Sequence, residues 1–235
     1  MRCACRGPKP TAWCWICEAL DGGTVSALKL YDYELSVNCY KQRLLLSILD
    51  LDHERIPVDF FPGQEHRSDE FRRINPLGHI PVLDDNGYIL WDATAISIYL
   101  ATRYDESGQW YPLADPQRLG RVASWMAFAE GTTNTASAAR LHDTLGYEFD
   151  VEACRRGARD LFRHLDRQLW LGEREGRDWL VEGDHPTIAD LAVFPDAMLA
   201  PQGGISLTPY PAVRRWTDRV KGIDGFVVMA GIYPR

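Results

Sequence analysis

Three residues able to handle a thiol or an anion crowd into one short turn. Leu28–Tyr33 mixes apolar and aromatic residues with polar ones at close to the period of a strand, and Tyr40–Leu51 places Leu44, Ile48 and Leu51 on one helical face. Between them the polar turn Glu34–Cys39 carries Ser36, Asn38 and Cys39. A serine at the mouth of a helix offers an anion both a hydroxyl hydrogen bond and the positive end of the helix dipole. The plainer alternatives are that Ser36 or Asn38 only caps the helix and that Cys39 is a small buried hydrophobe.

The other cysteines are less informative. Cys3, Cys5, Cys14 and Cys17 lie in a Trp-, Gly- and Arg-rich segment with no helix or strand period. Four thiolates can hold zinc, but this spacing matches no common zinc pattern, and Asp21-Gly22-Gly23 follows where a redox pair would open a helix. The apolar stretch Ala12–Ile16 is short for a signal peptide and Glu18 soon interrupts it. Residues 1–27 are therefore read as a disordered extension, or as codons upstream of a start near Val25. No metal is expected.

Composition narrows the function classes. Hydrophobic residues at 46% suit a globular protein, and no apolar run approaches the roughly 20 residues of a membrane span. A net charge of -7 argues against nucleic acid, whose phosphates call for a basic surface. A cysteine-poor body suits a reducing, cytoplasmic compartment.

The elements that must position the turn follow a recognisable order. Ile56, Val58 and Phe60 alternate as a second strand, with Pro57 marking an edge. Phe61–Asn75 is a loop with a short helix. Ile80–Leu83 begins a third strand, Asp85-Asn86-Gly87 is a hairpin signal, and Tyr88–Leu90 is a fourth strand. Asp92–Arg103 is a helix with Ile96, Tyr99 and Leu100 on one face. The order βαβ, loop, ββα is a thioredoxin-like α/β layout.

Leu35-Ser36-x-Asn38-Cys39, Phe71-x-x-Ile74-Asn75-Pro76-Leu77-Gly78-His79-Ile80-Pro81-Val82-Leu83 and Leu90-Trp91-Asp92-x-x-Ala95-Ile96 together resemble the glutathione transferase superfamily, in particular its bacterial, theta-like and beta-like branches. The resemblance covers about residues 28–230. It implies a thioredoxin-like glutathione-binding domain at 28–105, a linker at 106–117 and an all-helical domain at 118–230.

The resemblance also implies roles. Ser36 matches the thiol-stabilising serine of theta-like members, Cys39 the cysteine of beta-like members, and Ser36 with Asn38 the Thr/Asn pair of disulfide-reductase-like members. Ile80-Pro81 is expected to be cis, with the Ile80 backbone pairing to the cysteinyl part of glutathione. His66 and His79 sit where members hold the glycine carboxylate. The γ-glutamyl carboxylate is expected at Asp92-Ala93-Thr94, where the usual serine is replaced by Ala93 and its hydroxyl is lost. Helix N–H groups there can still bind a carboxylate.

Beyond the linker helices dominate. Val122, Trp125, Met126 and Ala129 mark one face, and Ala158, Leu161, Phe162, Leu165 and Leu169 another. Thr187-Ile188-Ala189-Asp190 reads as a capping box with Asp for Glu, and Pro195 predicts a kink. By family analogy Trp125, Phe128 and Thr132 line a second-substrate pocket. The expected enzyme is a homodimer that conjugates glutathione to a small hydrophobic electrophile. The alternatives are a glutathione-dependent disulfide or peroxide reductase using Cys39 or Asn38, and a non-catalytic binding or scaffold protein.

Overall fold

The computed structural model describes residues 28–233. The N-terminal cysteines Cys3, Cys5, Cys14 and Cys17 therefore lie outside the described residues. Strand β1 (Leu28–Asp32) leads into helix α1 (Val37–Ile48), which returns to β2 (His53–Pro57). A single 3-10 turn, Glu65–Arg67, precedes α2 (Asp69–Ile74). Strands β3 (Val82–Asp85) and β4 (Tyr88–Trp91) follow, then α3 (Ala93–Tyr104). The sheet order is β2-β1-β3-β4, with β1 and β2 parallel and β3 antiparallel to both its neighbours. This is a thioredoxin-like domain.

Side-chain alternation sorts the two faces of this sheet. Leu28, Leu30 and Leu83 join Leu44, Ile96 and Leu100 on the side of α1 and α3. Val82 packs with Val58 and Phe71 on the other side. The β3–β4 hairpin turns at Asn86 and Gly87, both at positive φ (54° and 87°), as a two-residue primed turn requires.

Two boundaries differ from the sequence pattern. α1 starts at Val37, because the Ser36 side chain accepts the Cys39 N–H and so begins the helix. β2 ends at Pro57, before the apparent alternation through Val58 and Phe60. Pro57 lacks an N–H, and the chain leaves the sheet there: Phe60 swings out to pack against Tyr33 and His66.

The remaining chain is helical. α4 (Pro116–Thr132) is capped by Asp115, runs into a π-helical turn (Thr133–Ser137) and continues as α5 (Ala138–Leu145). α6 (Val151–Arg174), α7 (Ile188–Leu199) and α8 (Pro211–Val220) complete it. α7 is buried along almost its whole length and packs against both α4 and α1, so one core spans sheet and helices. The helix carries on through Pro195. Among the described residues no helix is long and apolar enough to cross a membrane.

Candidate functional site

The Ser36 turn is braced from three directions. Ser36 N–H donates to Tyr33 O at 2.9 Å. Arg43 on α1 donates to Glu34 O at 2.9 Å and also pairs with the buried Asp32 at the end of β1. From the helical layer, Arg140 Nη1 donates to Leu35 O at 3.0 Å. Charge-assisted bonds of this kind hold a backbone turn more firmly than neutral ones.

The turn opens on a cleft. Tyr33, Ser36, Asn38, Phe60, His79 and Ile80 supply its front wall. Thr133, Ser137, Arg140 and Leu141, from the π-turn and α5, supply the rear wall. The Ser36 hydroxyl oxygen accepts the Cys39 N–H at 3.2 Å, and the same hydroxyl lies within hydrogen-bond reach of the Cys39 sulfur.

Behind the cleft lies a buried charged network. Lys41 Nζ pairs with Asp196 Oδ2 at 3.1 Å, their side chains 6% and 0% exposed. The same ammonium donates to Asn38 Oδ1 and Thr133 Oγ1, each at 3.1 Å. Thr133 and Ser137 in turn donate to the two oxygens of Asp196. An ammonium can only donate, so it fixes Asn38 with its oxygen inward. The Asn38 amide N–H groups are then the donors left for the cleft.

The expected site residues separate into two groups. Ser36, Asn38, His79 and Ile80 line one cleft, and Ile80-Pro81 is cis. Asp92 caps α3 by accepting the Ala95 N–H at 2.9 Å, at a φ of 82° that a non-glycine residue rarely adopts. The N–H groups of Ala93 and Thr94 at that helix start have no helical acceptor and suit a carboxylate.

Other residues fall elsewhere, for physical reasons. Cys39 is fully buried, and loss of solvation pushes its thiol up to about 12, so it carries no thiolate at neutral pH. His66 stacks on Phe60 with ring centres 4.1 Å apart, is 5% exposed, and leaves Nδ1 without a partner. Burial, aided by Arg67, holds its pKa below the ordinary value. Trp125 and Phe128 face a separate groove with His164 and Gln168, between α4 and α6. Thr132 is buried and donates to Ala129 O at 2.8 Å. The π-turn presents Thr133 and Ser137 to the cleft.

Tyr33, Phe60, Thr133, Ser137, Arg140 and the Lys41–Asp196 pair carried no motif in the sequence. One signal existed: Arg140 is the lone charge in the small-residue run Ala136–Arg140, a buried helix face. Among the described residues no His, Cys, Asp or Glu cluster is arranged to hold a metal ion.

Comparison with known proteins fits this geometry. The family model for the glutathione S-transferase N-terminal domain matches residues 30–108. Glutathione S-transferase hmp2 of Hypomyces subiculosus is 30% identical over 215 residues, covering 85% of this chain and 96% of its own. Maleylacetoacetate isomerase of Pseudomonas aeruginosa is 29% identical over 208 residues, covering 81% and 90%. The structure of Ure2p in complex with glutathione superposes with a TM-score of 0.73 at 26% identity, covering 84% and 95%.

Proposed function

Since the chain belongs to the glutathione transferase superfamily, we propose that it binds glutathione at the Ser36 cleft and transfers the thiolate to a small electrophile. The observation that carries this reading is the Ser36 hydroxyl: it caps α1 and lines the cleft, where a bound thiolate would be a stronger acceptor for its proton than the neutral Cys39 thiol. A free thiol has a pKa of about 8.5 and is mostly protonated at neutral pH. Lowering it by about two units takes ~2.7 kcal/mol, within reach of one hydroxyl bond, one amide bond from Asn38 and a helix N-terminus acting together.

In this reading the front domain orients glutathione. Ile80 pairs with the cysteinyl backbone, His79 faces the glycine carboxylate, and the α3 N-terminus at Asp92-Ala93-Thr94 takes the γ-glutamyl carboxylate. The thiolate sulfur gives an electron pair to the electrophilic carbon. A leaving group departs with its bonding pair, or a double bond shifts its electrons to the adjacent carbon, which then gains a proton.

Burial of Cys39 weighs against the cysteine-based reductase alternative. The identity with a maleylacetoacetate isomerase favours a second reading, in which addition is reversed and glutathione is returned. Product analysis separates the two: conjugation leaves a thioether, and isomerisation leaves glutathione unconsumed. The test of the main reading is turnover of Ser36→Ala with a broad electrophile panel. A loss of about a hundredfold with glutathione still bound is expected, and unchanged turnover would sink it. The reading also carries a two-fold dimer and a cytoplasmic location, where glutathione is kept reduced.

A further inference from the structure

Arg140 is 4% exposed and yet lines the cleft. Its known partners are neutral: Leu35 O at 3.0 Å and Gln202 Oε1 at 2.7 Å. Among the described residues it forms no ion pair. Asp196 influences it from a distance, but that carboxylate is already engaged by Lys41, Thr133 and Ser137. Tyr33 faces the same cleft as a neutral hydroxyl, its proton held more tightly by burial.

A buried charge without a counter-ion is unfavourable, and it persists where a ligand supplies the missing partner. The surroundings suggest the form of that ligand. Leu35, Val37, Phe60, Ile80 and Leu141 make the rest of the cleft largely apolar. The complementary molecule has an apolar body and one anionic end. Glutathione's own carboxylates are assigned above to His79 and the start of α3, both on the front domain. Arg140 stands on α5 and bonds the residue just before Ser36, at the thiol end.

We propose that Arg140 selects, as second substrate, apolar electrophiles that carry a carboxylate. This rests on the transferase reading and narrows it from a hydrophobic acceptor to an amphipathic acid. Guanidinium and carboxylate match as a two-pronged pair, so a lysine is an incomplete substitute.

The test compares a chloronitrobenzoate with its methyl ester, each enzymatic kcat/KM divided by the uncatalysed rate with glutathione. The wild type is expected to prefer the carboxylate by about tenfold or more, the worth of one charge-assisted bond. Arg140→Gln is expected to erase that ratio, and Arg140→Lys to keep part of it. Calorimetry with unreactive phenylbutyrate gives a second readout, in which Arg140→Gln should bind about tenfold more weakly with glutathione at saturation in both proteins. A wild-type preference for the ester, or a ratio that survives Arg140→Gln, overturns the proposal. Arg140→Gln also removes the bond to Leu35 O beside Ser36, so each ratio is read at saturating glutathione, where a change in the turn affects acid and ester alike. If neither acceptor reacts with the wild type, the broad electrophile panel decides the transferase reading and phenylbutyrate binding decides the role of Arg140.

Discussion

Ser36 performs two tasks with one hydroxyl. Its oxygen accepts a helix N–H, and its hydrogen is what the proposed mechanism gives to the glutathione sulfur. Ser36→Ala is therefore expected to lose about 1 kcal/mol of stability from the missing cap, besides its effect on the thiol. Ser36→Thr keeps both functions and should restore part of each, read by chemical denaturation and by turnover. Asn38→Asp puts a negative group where an amide donor stands, so the bound thiol should become harder to ionise. Cys39 is expected to resist alkylation at neutral pH in the native protein, seen by peptide mapping, and Cys39→Ala should keep turnover. Rapid labelling with loss of activity would favour the cysteine mechanism instead. Ala93 lies at the start of α3 where the resemblance expects serine. Ala93→Ser is predicted to tighten glutathione by up to about tenfold in calorimetry. Most of these residues were legible in the sequence because a motif fixed their spacing. That Phe60 stacks on His66 was not legible, because a loop motif does not reveal which ring covers the imidazole.

α7 holds the helical layer through two buried carboxylates. Asp190 accepts the Thr187 N–H at 2.9 Å, the Leu180 N–H at 3.0 Å and Trp216 Nε1 at 2.9 Å. The Thr187-x-x-Asp190 spacing made this helix start readable. Thr187→Ala should cost ~1 kcal/mol. Asp190→Ala strands three buried donors and should cost about 4 kcal/mol in urea unfolding. Asp196, one and a half turns on, joins α7 to α1 through Lys41. That pair was not legible, because neither residue sits in a local pattern and only tertiary packing brings them together. Lys41→Met leaves the Asp196 charge without its ammonium partner and is expected to cost ~3–5 kcal/mol. The rear wall of the cleft was missed for a similar reason. A π-turn shifts helical phase at Thr133–Ser137, and neither helical periodicity nor the family analogy that named Trp125, Phe128 and Thr132 reveals such a turn. Gly203 shows how tight this region is. A Cβ there would come within 2.7 Å of the Arg140 backbone nitrogen, so Gly203→Ala should disturb the cleft from behind.

At the scale of the molecule, the thioredoxin-like order was readable because strands, hairpin and helices each have a local signature. What closes the cleft was not, because it depends on how two layers meet. The edge strand β4 exposes Tyr88, Ile89 and Trp91, and the loop before β3 exposes Leu77. An apolar edge of this kind suits a partner subunit. For the proposed two-fold dimer, Ile89→Lys with Trp91→Glu is expected to yield a monomer by light scattering, and an unchanged mass would remove β4 from the proposed interface. Stability should also fall in acid. Bonds from Arg215 and Arg219 hold Glu173 below the ordinary carboxylate range. Its folded pKa is depressed, so its contribution is complete above the unfolded value of about 4.3 and is lost as pH falls through the folded one. Glu173→Gln should flatten that acid limb of the stability curve. The central claim is that this cleft ionises the glutathione thiol through Ser36. Ultraviolet thiolate absorbance of the glutathione complex, followed across pH, tests it most directly. The account predicts a thiol pKa about two units below 8.5 in the wild type, returning most of the way in Ser36→Ala. A bound thiol that titrates as it does in water, or a depression that Ser36→Ala leaves intact, would contradict it.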